Sequence, residues 1–185
     1  MMLLNFFAKT ARSARQQSGF SMIEMMAAVA ILAIAVSAAV PGFTQFVANT
    51  QIRSTTESIR NGLQLARSEA VKRNAQVKFT ILNVTSWVVG CTTPVVDVCP
   101  AVIQSKTANE SAANSIALTF TGTKEIAFTN LGTVTPAAGQ LSVVNVDHKT
   151  LSASETRDLR LLVGTGGGVR MCDPNVSATT DTRKC

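Results

Sequence analysis

Residues 20–40 form an apolar run that strongly limits the folds and locations open to this chain. The run contains 21 residues, from Phe20 to Val40, and Glu24 is its only residue with a formal charge. A helix of about 20 apolar residues spans the hydrocarbon core of a bilayer, which is about 30 Å thick. A carboxylate inside such a helix costs of order a few kcal/mol unless it has a partner. The run therefore predicts a membrane-spanning helix whose one acidic side chain needs a cation from elsewhere.

The 19 residues before this run predict a leader peptide that is removed. Their charged residues are all basic, which favours retention on the cytoplasmic side of the membrane: Lys9, Arg12 and Arg15. An ordinary secretory signal places its cleavage site after the apolar segment. Here the candidate site, Gln17-Ser18-Gly19, precedes it. A cut between Gly19 and Phe20 would leave the helix on the mature protein with a new amino terminus, whereas an uncleaved signal anchor is the alternative.

Beyond Pro41 the pattern predicts that the helix continues to about Arg73. We expect Pro41 to bend or break it, because proline lacks a backbone donor and clashes with the preceding turn. One helical face is apolar, with spacings of seven, four, three and four: Ile52, Ile59, Leu63, Ala66 and Ala70. Three arginines recur every seven residues beside that face, at Arg53, Arg60 and Arg67. A solvated face is the simpler interpretation of this row, and contact with acidic patches on neighbouring molecules is the other.

Residues 74–185 predict a β-rich head with a core of its own. Short runs rich in Val, Ile, Phe and Thr alternate with Gly, Pro and Asn clusters. The turn signals are Asn130–Thr133 and Gly164–Gly167, and surface loops are expected at 108–114 and 152–156. The only tryptophan, Trp87, is interpreted as a core residue. The predicted strands are Gln76–Leu82, Ser86–Gly90, Ser115–Phe120, Glu125–Thr129, Leu141–Val146, Asp158–Val163 and Gly168–Met171.

The four cysteines all lie in the head, as an oxidising compartment allows. Four cysteines permit three pairings, and the sequence does not choose among them. We favour the two local loops, Cys91 with Cys99 and Cys172 with Cys185. No pair has the C-x₂-C spacing of a zinc site, and His148 is the only histidine. We therefore expect no metal and no cofactor.

The charge balance argues against a nucleic-acid-binding surface, and the sequence motifs argue against catalysis. The chain has a net charge of +6, but three of its basic residues lie in the leader. From residue 74 onward there are nine basic and eight acidic side chains, so the head is nearly neutral. The sequence contains no tyrosine, no G-x-S-x-G elbow and no Walker loop. We expect a protein that is not an enzyme.

The segment Gly19-Phe20-Ser21-Met22-Ile23-Glu24 resembles the class III signal of type IV pilins and type II secretion pseudopilins. The resemblance implies that prepilin peptidase cleaves after Gly19 and methylates the new amino terminus at Phe20. It also implies that Glu24 pairs with the terminal amine of a neighbouring subunit. Met22 and Ser21 stand where leucine and threonine are commoner in these proteins, and Pro41 lies where they often carry a helix-breaking proline.

Residues 63–73 are similar to the end of the long helix in the GspH/FimT family. The pattern L-x-x-A-R-S-E-A-V-x-R is matched from Leu63 to Arg73, and residues 168–173 resemble the closing strand of FimT-like and FimU-like members. The resemblance implies an α+β, type IV pilin-like fold, with a long N-terminal helix packed on a sandwich-like head. It divides the chain into a leader (1–19), a transmembrane helix (20–40), its amphipathic continuation (41–73) and a head (74–185).

The family resemblance implies a non-catalytic subunit of a membrane-derived filament. The first choice is a minor pilin in the tip or priming complex of a type IV pilus, and the second is an H-type minor pseudopilin of type II secretion. Its partners would be other pilins or pseudopilins, prepilin peptidase, the inner membrane and the inner-membrane assembly platform. Its location would be the inner membrane, as a single-pass protein with a periplasmic head, and then the filament.

A DNA-binding minor pilin of natural transformation is the third possibility. Some FimT-like members bind DNA through a C-terminal Gly-Arg-x-Arg stretch. The corresponding residues here are Gly167-Gly168-Val169-Arg170, so only Arg170 matches an arginine of that stretch. A single phosphate contact gives weak, salt-sensitive binding. The resemblance therefore offers Arg170 as a weak DNA contact.

Overall fold

A computed structural model describes residues 19–108 and 110–185, leaving aside the side chains of Pro41 and residues 110–112. The chain divides between Val40 and Pro41 into two compact units. The leader, except for its last residue, lies outside the described residues. The expectations placed on Lys9, Arg12, Arg15, Gln17 and Ser18 therefore stay predictions.

The longest element is a helix of 52 residues, α1 (Met22–Arg73). It is the one helix among the described residues that is long and apolar enough to cross a membrane. In the first unit, every residue from Gly19 to Val40 is exposed. Helix α1 includes residue 41, so the backbone there is helical, and a bend at Pro41 stays a prediction. A proline removes one backbone donor, and the helical backbone on both sides is retained despite that loss.

In the second unit, the predicted apolar face of α1 is buried. Ile52, Leu63, Ala66 and Ala70 are fully enclosed, and Ile59 is 2% exposed. Their periodic spacing places them on one side of the helix, and that side contributes to the core of the head. The sequence prediction of an amphipathic continuation is confirmed.

The head contains two four-stranded antiparallel sheets. The first sheet has the order β3-β2-β1-β5 and the second has the order β4-β6-β7-β8. A short helix, α2 (Glu110–Ser115), precedes β4. The strands are β1 (Val77–Ile81), β2 (Trp87–Cys91), β3 (Gln104–Lys106), β4 (Ile116–Thr121), β5 (Glu125–Phe128), β6 (Val143–His148), β7 (Leu159–Val163) and β8 (Val169–Cys172).

A single core joins α1 to both sheets. Side chains alternate along β1, where Val77, Phe79 and Ile81 are buried while the residues between them are partly exposed. The second sheet supplies Val144 and Val146 from β6 to the same cluster. Burial of this apolar surface, at about 25 cal/mol per Å², is the main term that holds the sheets on the helix. The predicted fold, a long helix packed on antiparallel sheets, is confirmed.

The sequence missed two elements and misplaced several strand ends. Strand β3 was not predicted because its sequence, Gln-Ser-Lys, has no apolar alternation; it is held by pairing with Trp87–Val89 at the sheet edge. Helix α2 replaces most of the loop expected at 108–114, which also includes the undescribed residue 109. Strand β6 begins at Val143 rather than Leu141, because the Leu141 backbone N–H donates to the Glu125 carbonyl instead.

Candidate assembly site

The predicted cleavage junction is open to solvent among the described residues. Gly19, Phe20 and Ser21 lie outside the helix, which begins at Met22. Phe20 is 77% exposed, and no atom lies within 4 Å of the position that a Cβ at Gly19 would occupy. The backbone N–H of Met25 donates to the Ser21 carbonyl at 3.1 Å, which closes the first turn. The junction therefore lies in exposed, non-helical backbone directly before a helix.

Glu24 lies in the first turn of α1 and is exposed. It is four residues from Phe20, so the carboxylate and the predicted new amino terminus lie about one turn apart along the chain. No basic residue occurs from Phe20 to Val40, so this stretch holds no side-chain cation for the carboxylate. A carboxylate near a helix N-terminus gains modestly from the helix dipole, which does not offset burial in an apolar medium.

The first unit exposes a continuous set of large apolar side chains. Exposure on this scale marks a surface that lipid or another protein covers. All of them except Phe20 lie on helix α1, so their backbone is already hydrogen-bonded and compatible with a membrane. These residues are Phe20, Met22, Ile23, Met25, Met26, Val29, Ile31, Leu32, Ile34, Val36 and Val40.

The family signature at residues 63–73 fixes the helix to the head. Leu63, Ala66 and Ala70 are fully buried, whereas Val71 is 53% exposed, and the charged members make specific contacts. Arg67 Nε donates to the Gly132 carbonyl at 2.9 Å, across 65 residues of chain. Arg73 Nε donates to Glu69 Oε2 at 2.6 Å, and Arg73 Nη1 donates to the Val98 carbonyl at 2.8 Å. The hydrogen bond from Arg73, with help from Lys72, lowers the pKa of Glu69.

The arginine row is not a uniform solvated face. Arg53 is exposed and pairs with Glu57 at 2.8 Å, as expected of a solvated pair. Arg67 instead contacts the Gly132 turn, and Arg60 has a buried Nε that makes no hydrogen bond among the described residues. The simpler sequence interpretation therefore holds for one arginine and fails for Arg67, whose partner lies far away in the sequence.

Trp87 is a core residue, as predicted. It is 6% exposed, and its indole Nε1 donates to Ser58 Oγ at 3.0 Å. Gly62 lies on α1 where a Cβ would approach Phe79 Cε2 to 2.5 Å, so the glycine allows helix and sheet to pack closely. Sequence reasoning missed this role, although a glycine inside a buried helix face is a signal of close approach.

The disulfides join Cys91 to Cys99 and Cys172 to Cys185, the two local loops that the sequence favoured. The second disulfide fixes the end of the chain beside β8. Asp173 and Lys184 form a parallel bridge there, and Arg170 Nη2 donates to the Lys184 carbonyl at 2.6 Å. Arg170 is exposed, but its guanidinium already contributes to holding the C-terminal loop.

A family model described as type II transport protein GspH matches residues 55–177. The match covers well over half of the chain and includes both sheets and the signature helix. The chain belongs to the GspH family. A second model, the prokaryotic N-terminal methylation motif, matches residues 14–40, which include the Gly19–Phe20 junction and Glu24. No curated protein is similar enough to this GspH-family chain to count as a match.

Solved structures similar to the chain are those of minor pilins and a minor pseudopilin. Two crystal forms of the type IV minor pilin FimU from Pseudomonas aeruginosa give TM-scores of 0.50 and 0.52 at 15% and 16% identity. They cover 68% and 72% of this chain and 99% of FimU. The minor pseudopilin EpsH from the type 2 secretion system of Vibrio cholerae gives 0.46 at 16% identity, covering 66% of this chain and 96% of EpsH. The FimU likeness shows a shared fold.

Two carboxyls lie side by side at the end of β6 in the GspH-family head. Asp158 precedes Leu159, which pairs with Val146, so Asp158 falls opposite Asp147. Burial and the neighbouring Asp147 carboxyl raise the pKa of Asp158, and only a hydrogen bond from Asn175 Nδ2, at 2.9 Å, and one with Thr156 oppose them. Asp158 Oδ1 is buried without a hydrogen bond among the described residues. Ionised, this pair destabilises the head.

We expect Asp158→Asn to raise the melting temperature at neutral pH by a few degrees. A folded-state pKa above the ordinary value of 3.8 gives stability that is present at lower pH and lost as pH rises through the folded pKa. The variant has no carboxyl at this position and does not lose stability in this way. The difference in melting temperature between the variant and wild type should therefore grow from about pH 4 upward. Thermal unfolding against pH tests this, with Asp147→Asn expected to act similarly. A difference that does not depend on pH would contradict the expectation.

Proposed function

We propose that the chain is a minor pilin of a type IV pilus, a non-catalytic subunit of the tip or priming complex. The observation that carries the proposal is the exposed apolar helix with a single carboxylate, directly after an accessible Gly-Phe junction. Cleavage after Gly19 gives Phe20 a terminal amine, the predicted site of methylation. Before assembly, the subunit spans the inner membrane once with its head in the periplasm.

Assembly follows from the charge of Glu24 and the apolar surface around it. Inside a filament, the carboxylate of one subunit meets the terminal amine of the next in a medium of low dielectric, where opposite charges attract strongly. The pair repays the desolvation of both groups only if its geometry is good. The apolar helices pack side by side, and the charge pair fixes their axial register. The partners are other major and minor pilins, with prepilin peptidase and the assembly platform acting earlier.

An H-type minor pseudopilin of type II secretion is the second candidate. The observation that favours it is the match of residues 55–177 to the GspH model. The chemistry of the helix is the same in both cases, because each filament draws its subunits from the inner membrane. Only the system in which the subunit works differs.

A clean in-frame deletion separates these candidates. We expect sheared surface pili to vanish or fall sharply in the deletion strain and to return when the wild-type gene is supplied. Normal pili with loss of secreted proteins would favour the pseudopilin instead. Normal pili and normal secretion would contradict both and leave the third candidate, DNA uptake.

DNA binding by the head is the third candidate, and Arg170 is the only arginine of the stretch that is matched. The Arg170 guanidinium already donates to the Lys184 carbonyl, which opposes a role dedicated to phosphate. A gel shift with the purified protein at physiological salt tests it. Tight binding that Arg170→Ala abolishes would reverse this ranking.

A further inference from the structure

The head carries a groove with an apolar floor and an arginine rim. It has a volume of about 480 Å³ and lies between α1, the start of β7, the end of β8 and the C-terminal loop. We call it the arginine groove, and the lining residues used here are Phe46, Arg53, Arg157, Leu159, Met171 and Arg183. Leu159 and Met171 also pack against the core, so the floor belongs to the rigid part of the head.

Arg157 is the cation of this groove that is available to a partner. Arg53 pairs with Glu57 at 2.8 Å, and Arg183 pairs with Asp181 at 2.7 Å. The Arg157 backbone N–H donates to Asn49 Oδ1 at 2.7 Å, which places the residue on the rim. Its guanidinium has no hydrogen bond or ion pair among the described residues. Asp173 also lines the groove, and its Oδ1 accepts from the Asn175 backbone N–H at 2.9 Å.

The opposite end of the head presents a complementary surface. The disulfide Cys91–Cys99 closes a loop, which we call the valine loop (residues 92–98), with three exposed valines: Val95 at 52%, Val96 at 85% and Val98 at 56%. Asp97 is exposed, and its carboxylate has no partner in the part of the chain that the structure describes. Its φ of 61° places it at the left-handed tip of the loop.

The valine loop is held rigidly, which lowers the entropic cost of binding. The Val95 N–H donates to the Cys99 carbonyl at 2.8 Å, and the Cys99 N–H donates to the Val95 carbonyl at 2.9 Å. Arg73 Nη1 fixes the Val98 carbonyl to the end of α1. The valine loop is thus a preformed apolar tip with one carboxylate, and it is complementary to an apolar surface that carries a cation.

We propose that the valine loop of one copy docks into the arginine groove of a second copy, with Asp97 facing Arg157. The valines supply the apolar area for the floor formed by Leu159 and Met171, and the charges set the register. The two surfaces lie near Thr50 and near Arg73 of α1, which are roughly 35 Å apart at 1.5 Å per residue. Such a contact is heterologous, because different surfaces of the two copies meet. It goes beyond the proposed function, because it holds for a pilus or a pseudopilus alike.

Photo-crosslinking of the full chain in detergent micelles tests this contact. Benzoylphenylalanine in place of Val96 should give a cross-linked dimer whose mass-spectrometric link maps to residues of the arginine groove. The matched control places the same probe at Leu82, which is 58% exposed and directly follows the end of β1 that is remote from the valine loop, and should give little dimer. Equal yields at both positions, links to other surfaces of the second copy, or links to detergent alone would overturn the proposal.

A double-mutant cycle tests the charge pair. Asp97→Asn suits the left-handed backbone, because asparagine tolerates positive φ, and Arg157→Gln keeps the length of the side chain. Each should lower the dimer yield about threefold, as expected of a partly exposed ion pair, and the double variant should be no worse than either alone. Fluorescence of the single tryptophan, Trp87, reports that each variant is folded. Additive losses, or no loss in folded variants, would overturn the pairing of Asp97 with Arg157.

Discussion

Glu24→Ala should abolish filament incorporation while leaving cleavage and membrane insertion intact. The substitution leaves the helix apolar and long enough to span a bilayer, and it does not touch the Gly19–Phe20 junction. Inside a filament, however, it leaves the terminal amine of a neighbouring subunit buried without a partner. Breaking a buried ion pair on one side costs about 3–5 kcal/mol, and each 1.4 kcal/mol is a factor of ten in an equilibrium. We therefore expect incorporation to fall at least a hundredfold.

The measurement compares mature subunit in membranes with subunit in sheared filaments, by immunoblot. Glu24→Gln should fail similarly, because it keeps the shape but loses the charge. The matched control is Met25→Ala, which removes apolar surface from the next residue of the same turn, where Met25 is 54% exposed. Normal incorporation of the Glu24→Ala variant would remove the assembly role that we assign to this residue.

Local patterns predicted the helix and most of the strands well. The spacing of Ile52, Ile59 and Leu63 implied one buried helical face, and the structure buries all three. This works because a helix imposes its own period on contacts that are close in sequence. The two local disulfide loops were favoured for a similar reason, since both close over a short stretch of chain.

Contacts between distant residues could not be read from the sequence. Arg67 contacts the Gly132 carbonyl, and Asp147 lies opposite Asp158, only because the topology brings these segments together. Strand β3 exists through its pairing with β2, since its own residues carry no strand pattern. The arginine groove likewise combines α1, β7, β8 and the C-terminal loop, so no single segment indicates it.

The predicted cleavage junction and the predicted role of Glu24 could be stated from the sequence alone, because each depends on a few consecutive residues. Their order relative to the apolar run carries the prediction, and a folded head is not needed to state it. In the structure, the junction and Glu24 are both exposed among the described residues. The proposed assembly requires this, because neighbouring subunits would cover these residues only in the filament.

Gly167→Ala should destabilise the head more than a glycine-to-alanine substitution at any other position of the same turn. Gly167 has a φ of 77°, a conformation that costs an L-residue about 1–2 kcal/mol. A Cβ here would also overlap the Gly132 carbonyl oxygen and approach Arg67 Nε to 3.1 Å. That carbonyl accepts the hydrogen bond from Arg67 that ties α1 to the Asn130–Thr133 turn. Relieving the overlap therefore displaces the contact that joins the helix to two turns.

The combined cost of strain and overpacking is about 2–5 kcal/mol, which should lower the melting temperature by roughly 10 °C. Trp87 fluorescence of the full chain in detergent measures unfolding, since Trp87 is the only tryptophan and is buried. Gly166→Ala is the matched control in the same turn, because no atom lies within 4 Å of its Cβ position. Equal melting temperatures for the two variants would contradict the close approach of Gly167 to Gly132. A lower melting temperature for Gly167→Ala alone would locate the steric constraint at this contact.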